Sequence, residues 1–156
     1  MNISGSTIMI TGGAIRVGKH QALHMAKKGA NLAFSYLSGE PYEETKAELE
    51  ACGGRVSATE LDAGDVNACR EWVDATARDF GRVDVLINSA SVWLKKPALA
   101  VSEKEYDLAV NINMKAPFFL AQAAAKHMKQ QGAGVIINIT DCSAFQVWPE
   151  YAPNGA

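Results

Sequence analysis

Short apolar runs alternate along the chain with longer stretches whose apolar residues recur every three or four positions, and glycines stand at the joins. The runs are Ser6 to Ile10, Asn31 to Tyr36, Arg55 to Leu61, Val83 to Asn88 and Val135 to Ile139, each of strand length. The first, fourth and fifth are almost continuously apolar, the pattern of strands covered on both faces of a parallel sheet. Between them the periodicity predicts helices. Val17 to Lys28 carries Ala22, Met25 and Ala26 on one side and stops at Gly29. Tyr42 to Cys52 follows the turn Ser38-Gly39-Glu40-Pro41 and ends at Gly53-Gly54. Val66 to Phe80 has Asp65 as its cap and Gly81 as its stop. A long helix opens at Ser102, where Ser102 and Glu105 form a capping box, and presents Ala109, Ile112, Ala116, Phe119, Ala123 and His127 on one face. Pro117 is expected to kink it before Gly132 and Gly134 end it.

Five strands alternating with four helices predict an α/β doubly wound parallel sheet, of the Rossmann type, with helices on both faces and one domain over residues 1–156. Only seventeen residues follow the fifth strand, and they include Pro149 and Pro153, so no covering helix is expected there. The fold is therefore expected to be incomplete at its C-terminal side. The fourth and fifth strands should expose apolar side chains, and the chain should self-associate. Ligands of this class bind beyond the carboxyl ends of the strands. Those ends read Thr11-Gly12-Gly13, Ser35-Tyr36, Asp62, Asn88-Ser89-Ala90-Ser91 and Thr140-Asp141-Cys142, all small or polar.

Composition narrows the partners. With 48% hydrophobic and 21% charged residues the chain is an ordinary globular one, and a net charge of −2 without a basic run longer than Lys27-Lys28 or Lys95-Lys96 excludes an electrostatic nucleic-acid or anionic-membrane surface. No apolar stretch reaches the length of a membrane span. Cys52, Cys69 and Cys142 form no CxxC pair and no leader precedes the first strand, which points to the cytoplasm. No metal is expected, because His20 and His24 share a helical face without a third ligand. Small molecules and other copies of the chain remain as partners.

The chemistry gathers at the first turn, from Thr7 to Lys19. Gly12, Gly13 and Gly18 permit close backbone approach, and the helix that follows aims free N–H groups and its positive dipole end at the turn, which favours a phosphate. Arg16 adds a planar fork of donors suited to a 2′-phosphate. The second strand ends in Ser35-Tyr36 without the carboxylate that would hold a free ribose 2′-hydroxyl, so NADPH is expected over NADH.

Thr11-Gly12-Gly13-Ala14-Ile15-Arg16-Val17-Gly18 departs from a TGxxxGxG turn only in having Arg16 for the middle glycine, and Asn88-Ser89-Ala90-Ser91 and Asn113 of NMKAPF follow in order. Together they resemble the short-chain dehydrogenases/reductases, and TGxxxRxG resembles the pteridine-reductase-like subgroup. The resemblance implies that Gly12, Ile15, Arg16, Val17, Gly18, Ser35, Tyr36, Asp62, Asn88, Ala90 and Ser91 hold the cofactor, with Asp62 beside the adenine. It implies that Asp141 and Asn113 belong to the catalytic group and that Trp93 stacks on a pterin-like substrate. At the family interval after Asp141 the catalytic tyrosine is replaced by Asn154, whose amide is no acid near neutral pH. The lysine of YxxxK would fall two residues beyond Ala156, so the chain reads as truncated. Tyr42 and Lys46 spell YxxxK on a helix remote from Asp141, and Tyr151 could enter the site only through a reorganised loop. Three readings stay open: the NADPH-binding portion of a reductase acting on a pterin or a small carbonyl or imine compound, a non-catalytic nucleotide-binding or interaction protein, and a truncated product with no activity.

Overall fold

The computed structural model describes residues 2–142, 145–146 and 148–155. Its elements in chain order are β1 (Thr7–Ile10), α1 (Arg16–Ala26), β2 (Asn31–Tyr36), α2 (Tyr42–Glu50), β3 (Val56–Glu60), α3 (Val66–Phe80), β4 (Val85–Asn88), α4 (Glu103–Val110), α5 (Ala116–Gln131), β5 (Val135–Asn138) and the single turn α6 (Ala152–Gly155). The strands form one parallel sheet in the order β3-β2-β1-β4-β5. Because successive side chains of a strand point to opposite faces, each strand feeds two cores. Met9, Ala33 and Leu86 pack against Trp72 and Val73 of α3 and Leu120 and Ala124 of α5. Ile8, Ile10, Leu32 and Phe34 pack on the other face against Ala22 and Ala26 of α1 and Leu49 of α2.

The local signals act as expected where they are local. Asp65 accepts the N–H groups of Asn67 and Ala68, Gly81 closes α3 in the left-handed conformation, and Ser102 and Glu105 form the reciprocal capping box. In that box Glu105 accepts from the Ser102 hydroxyl and N–H and pairs with Lys96, which together hold its carboxyl down at about 2.

Three expectations are corrected. The long helix is broken upstream of Pro117 rather than kinked at it: a π-helical turn, Asn111–Lys115, separates α4 from α5, which carries the proline in its first turn. Proline has no N–H to give and its ring crowds the carbonyl four residues back, so the ladder widens one turn earlier. The fourth strand starts at Val85 rather than Val83, because the Gln131 side chain takes both backbone groups of Val83, donating to its carbonyl at 2.9 Å and accepting its N–H at 3.0 Å. And β4 is buried throughout, covered by the helices of both layers, so of these two strands it is β5 that exposes apolar residues. Val135, Ile136, Ile137 and Ile139 are between 37% and 46% exposed at that edge. The one-turn α6 packs with α4 and leaves β5 open. No helix among the described residues is long and apolar enough to cross a membrane.

Candidate functional site

Thr11, at the end of β1, joins two strand ends: its hydroxyl oxygen accepts the N–H groups of Ser89 and Ala90, each at 2.9 Å. That junction draws the glycine turn against the turn after β4. A Cβ on Gly12 would stand 3.1 Å from the Ala90 Cα, at a backbone φ of +64°. A Cβ on Gly18 would stand 2.1 Å from the Gly12 carbonyl oxygen. At both positions backbone packs against backbone too closely for a side chain, which fixes the shape of the turn, and the N-terminus of α1 behind it suits a dinucleotide pyrophosphate. Thr45 of α2 donates its hydroxyl to the Ala14 carbonyl at 2.7 Å and fastens the outer side of the turn.

Arg16 is the one non-glycine residue at positive φ among the described residues, at +51°, where the backbone is about 1–2 kcal/mol above the right-handed form. Its side chain is exposed, as is Val17, while Ile15 is half-buried. A cation held at a glycine's conformation, beside free helix N–H groups, is an arrangement for an anion.

Ser35 does not face the cleft. It is buried, its hydroxyl accepting the Gly12 N–H at 3.2 Å and its carbonyl the Gly13 N–H at 2.8 Å, so it shapes the turn from beneath. Tyr36 stacks on Tyr42 with ring centroids 4.0 Å apart and planes 9° from parallel. Desolvation, the hydrogen bond to Tyr42 and the charges of Glu60 and Glu43 push its hydroxyl above the ordinary range. Lys46 of the decoy YxxxK pairs with Glu50. Asp62 lies exposed beyond β3, where its Oδ1 accepts the Gly64 N–H at 2.8 Å.

A cavity of about 620 Å³ opens beyond the ends of β4 and β5, and its walls include Ser91, Trp93, Asn113, Phe118, Asp141 and Asn154. Trp93, Asn113, Asp141 and Asn154 thus line one cavity. Two of them are engaged with backbone: the Asn113 amide holds both backbone groups of Val92, and Asn154 bridges Val92 and Leu94. Asn88 is buried, and its Nδ2 donates to Asn138 Oδ1 at 2.8 Å, tying β4 to β5. Asn138, Thr45 and Tyr42 were not foreseen. An asparagine ending an apolar strand was the available signal for the first, and nothing in the sequence showed that Tyr42 would stack on Tyr36. Among the described residues no cluster of His, Cys, Asp and Glu could hold a metal. Burial pushes the Cys69 thiol up to about 11, which leaves it inert.

Residues 6–156 match the family model described as short chain dehydrogenase. The chain is 32% identical over 152 residues to gluconate 5-dehydrogenase of Gluconobacter oxydans, covering 97% of this chain and 59% of that protein. It is 34% identical over 146 residues to 2-dehydro-3-deoxy-D-gluconate 5-dehydrogenase of Escherichia coli, covering 93% of this chain and 57% of that one. A crystal structure of a short-chain alcohol dehydrogenase from Sinorhizobium meliloti superposes with a TM-score of 0.94 at 33% identity, over 98% of this chain and 61% of the other. A metagenomic short-chain oxidoreductase solved in complex with NADP superposes at 0.91 and 26% identity, over 99% and 72%. The chain spans less than two thirds of the length of the curated relatives it matches.

Proposed function

The chain belongs to the short chain dehydrogenase family, and from that premise we propose that it is the NADPH-binding portion of a reductase acting on a pterin or a small carbonyl or imine compound. One observation carries the cofactor choice. Arg16 stands exposed at φ +51° in the glycine turn, while β2 ends without a carboxylate and the next acid, Glu40, is turned back to the Leu37 N–H at 2.9 Å. A 2′-phosphate would find a guanidinium there and no carboxylate at the end of β2 itself.

Gly12, Ile15, Val17 and Gly18 would flank the pyrophosphate, Tyr36 and Asp62 the adenine end, and Ala90 and Ser91 the strip that leads to the cavity. Asn88 supports that strip from within the sheet. When bound, the cofactor supplies the hydride. At the cavity Trp93 offers a broad π face against which a flat heterocycle stacks, and Asp141 offers a polar group to its edge, while Asn113 of the same catalytic group holds the Val92 backbone beside it.

A second reading, nucleotide binding without turnover, is favoured by Asn154, because an amide bonded to backbone is no proton donor. Titrating NADPH and NADH against the wild type and Arg16→Ala tests the cofactor assignment. NADPH should bind about ten- to a hundredfold more tightly, since a charge-assisted hydrogen bond contributes about 1.5–3 kcal/mol, and Arg16→Ala should erase the difference. Equal wild-type affinities would overturn it. Steady NADPH oxidation with biopterin would favour the reductase, and tight binding without oxidation the second reading.

A further inference from the structure

We propose that Asn154 is a positioning residue that sets Trp93 as a wall of the cavity, so that the amide at this position has a task of its own. The proposal deepens the substrate side of the reading above and rests on it where Trp93 is assigned to substrate.

Asn154 Nδ2 donates to the Val92 carbonyl at 2.9 Å, and Asn154 Oδ1 accepts the Leu94 N–H at 3.0 Å. The two backbone groups flank Trp93. One amide bonded to the carbonyl before a residue and the N–H after it reproduces the way the N–H and C=O of one residue on a neighbouring parallel strand grip it. From the other side Asn113 donates to the same Val92 carbonyl at 3.0 Å and accepts the Val92 N–H at 2.9 Å. A carbonyl oxygen has two lone pairs, and here both are engaged.

The ring is held as well. Tyr151 lies 5.0 Å from the Trp93 ring at 35°, and Trp148 meets it edge-on at 6.0 Å. Lys95 pairs with Glu150 at 3.1 Å, and the Ala152 N–H reaches the Lys96 carbonyl at 3.2 Å, so residues 148–154 run along residues 92–96. Yet Trp93 remains 44% exposed and lines the cavity. Its backbone and one side are fixed while a face stays open, which is what a stacking wall requires. A carboxylate at 154 would lack the donor for Val92, and a phenol would offer one hydroxyl where two groups need partners.

The test uses Asn154→Asp, Asn154→Gln and Trp93→Phe in the full chain, read by near-ultraviolet circular dichroism, NADPH titration and biopterin titration. Trp93→Phe identifies the part of the aromatic band that Trp93 contributes. Asn154→Asp should lose that same part, Asn154→Gln should keep it, and both should bind NADPH as the wild type does. Biopterin affinity should fall about tenfold in Asn154→Asp, the scale of one lost stacking contact. An unchanged band in Asn154→Asp would overturn the proposal. Should that variant not fold, a folded Asn154→Gln without the Trp93 band would overturn it and one with the band would support it. Wild-type protein that ignores biopterin would sink the substrate reading alone, and the circular dichroism would still decide the role of Asn154.

Discussion

Gly18 and Gly12 are so close that a Cβ on Gly18 would lie 2.1 Å from the Gly12 carbonyl oxygen. The contact is backbone, so no rotamer relieves it. In an ordinary helix interior, Gly→Ala stabilises by about 1 kcal/mol. Here we expect Gly18→Ala to destabilise by about 1–3 kcal/mol, the cost of overpacking, and to abolish cofactor binding because the turn must open. Chemical denaturation gives the sign directly, and a stabilised Gly18→Ala variant would refute the close approach.

Arg16 holds a left-handed conformation that costs about 1–2 kcal/mol, of which glycine's greater unfolded-state freedom returns about 0.5–1 kcal/mol to the arginine protein. Arg16→Gly should therefore be equally stable or up to about 1.5 kcal/mol more stable, and should bind NADPH less well. Opposite movements of melting temperature and affinity are the expected result. A clear loss of stability would show that Arg16 packs rather than binds.

Glu105 has its carboxyl held at about 2 against an ordinary 4.5, chiefly by the Ser102 hydroxyl and then by Lys96. A depressed carboxylate stabilises the fold above its unfolded value, and that contribution disappears as pH falls from 4.5 towards 2. The stability difference between wild type and Glu105→Gln should be constant near neutrality and shrink across that window. A difference independent of pH down to 2 would contradict the pairing.

β5 and the Ile139 that follows it leave Val135, Ile136, Ile137 and Ile139 exposed on an edge strand whose outer side has no sheet partner among the described residues. Such an edge invites association, and each side chain returned to an apolar contact gains up to about 1.5–3 kcal/mol. The purified chain should bind a hydrophobic dye and elute as oligomers. Ile137→Lys should lower both signals, whereas a sharp monomer peak without dye binding would show that the edge is covered.

Sequence alone determined what depends on neighbours a few residues away. The alternation of strands and helices, the Asp65 cap, the capping box of Ser102 and Glu105, and the glycine turn with its arginine all follow from periodicity and local backbone chemistry. The partners of the two caps lie within one turn, so there the residue types suffice. Tertiary structure decided which polar side chains hold the scaffold. Ser35 went beneath the glycine turn, Asn88 to Asn138, Gln131 to Val83, and Asn113 and Asn154 to Val92. An asparagine or glutamine amide suits a strand's backbone and a ligand's edge equally well, and nothing in its own segment says which lies opposite. Only the packing of elements tens of residues apart brings the acceptor and donor to 3 Å and so settles the choice.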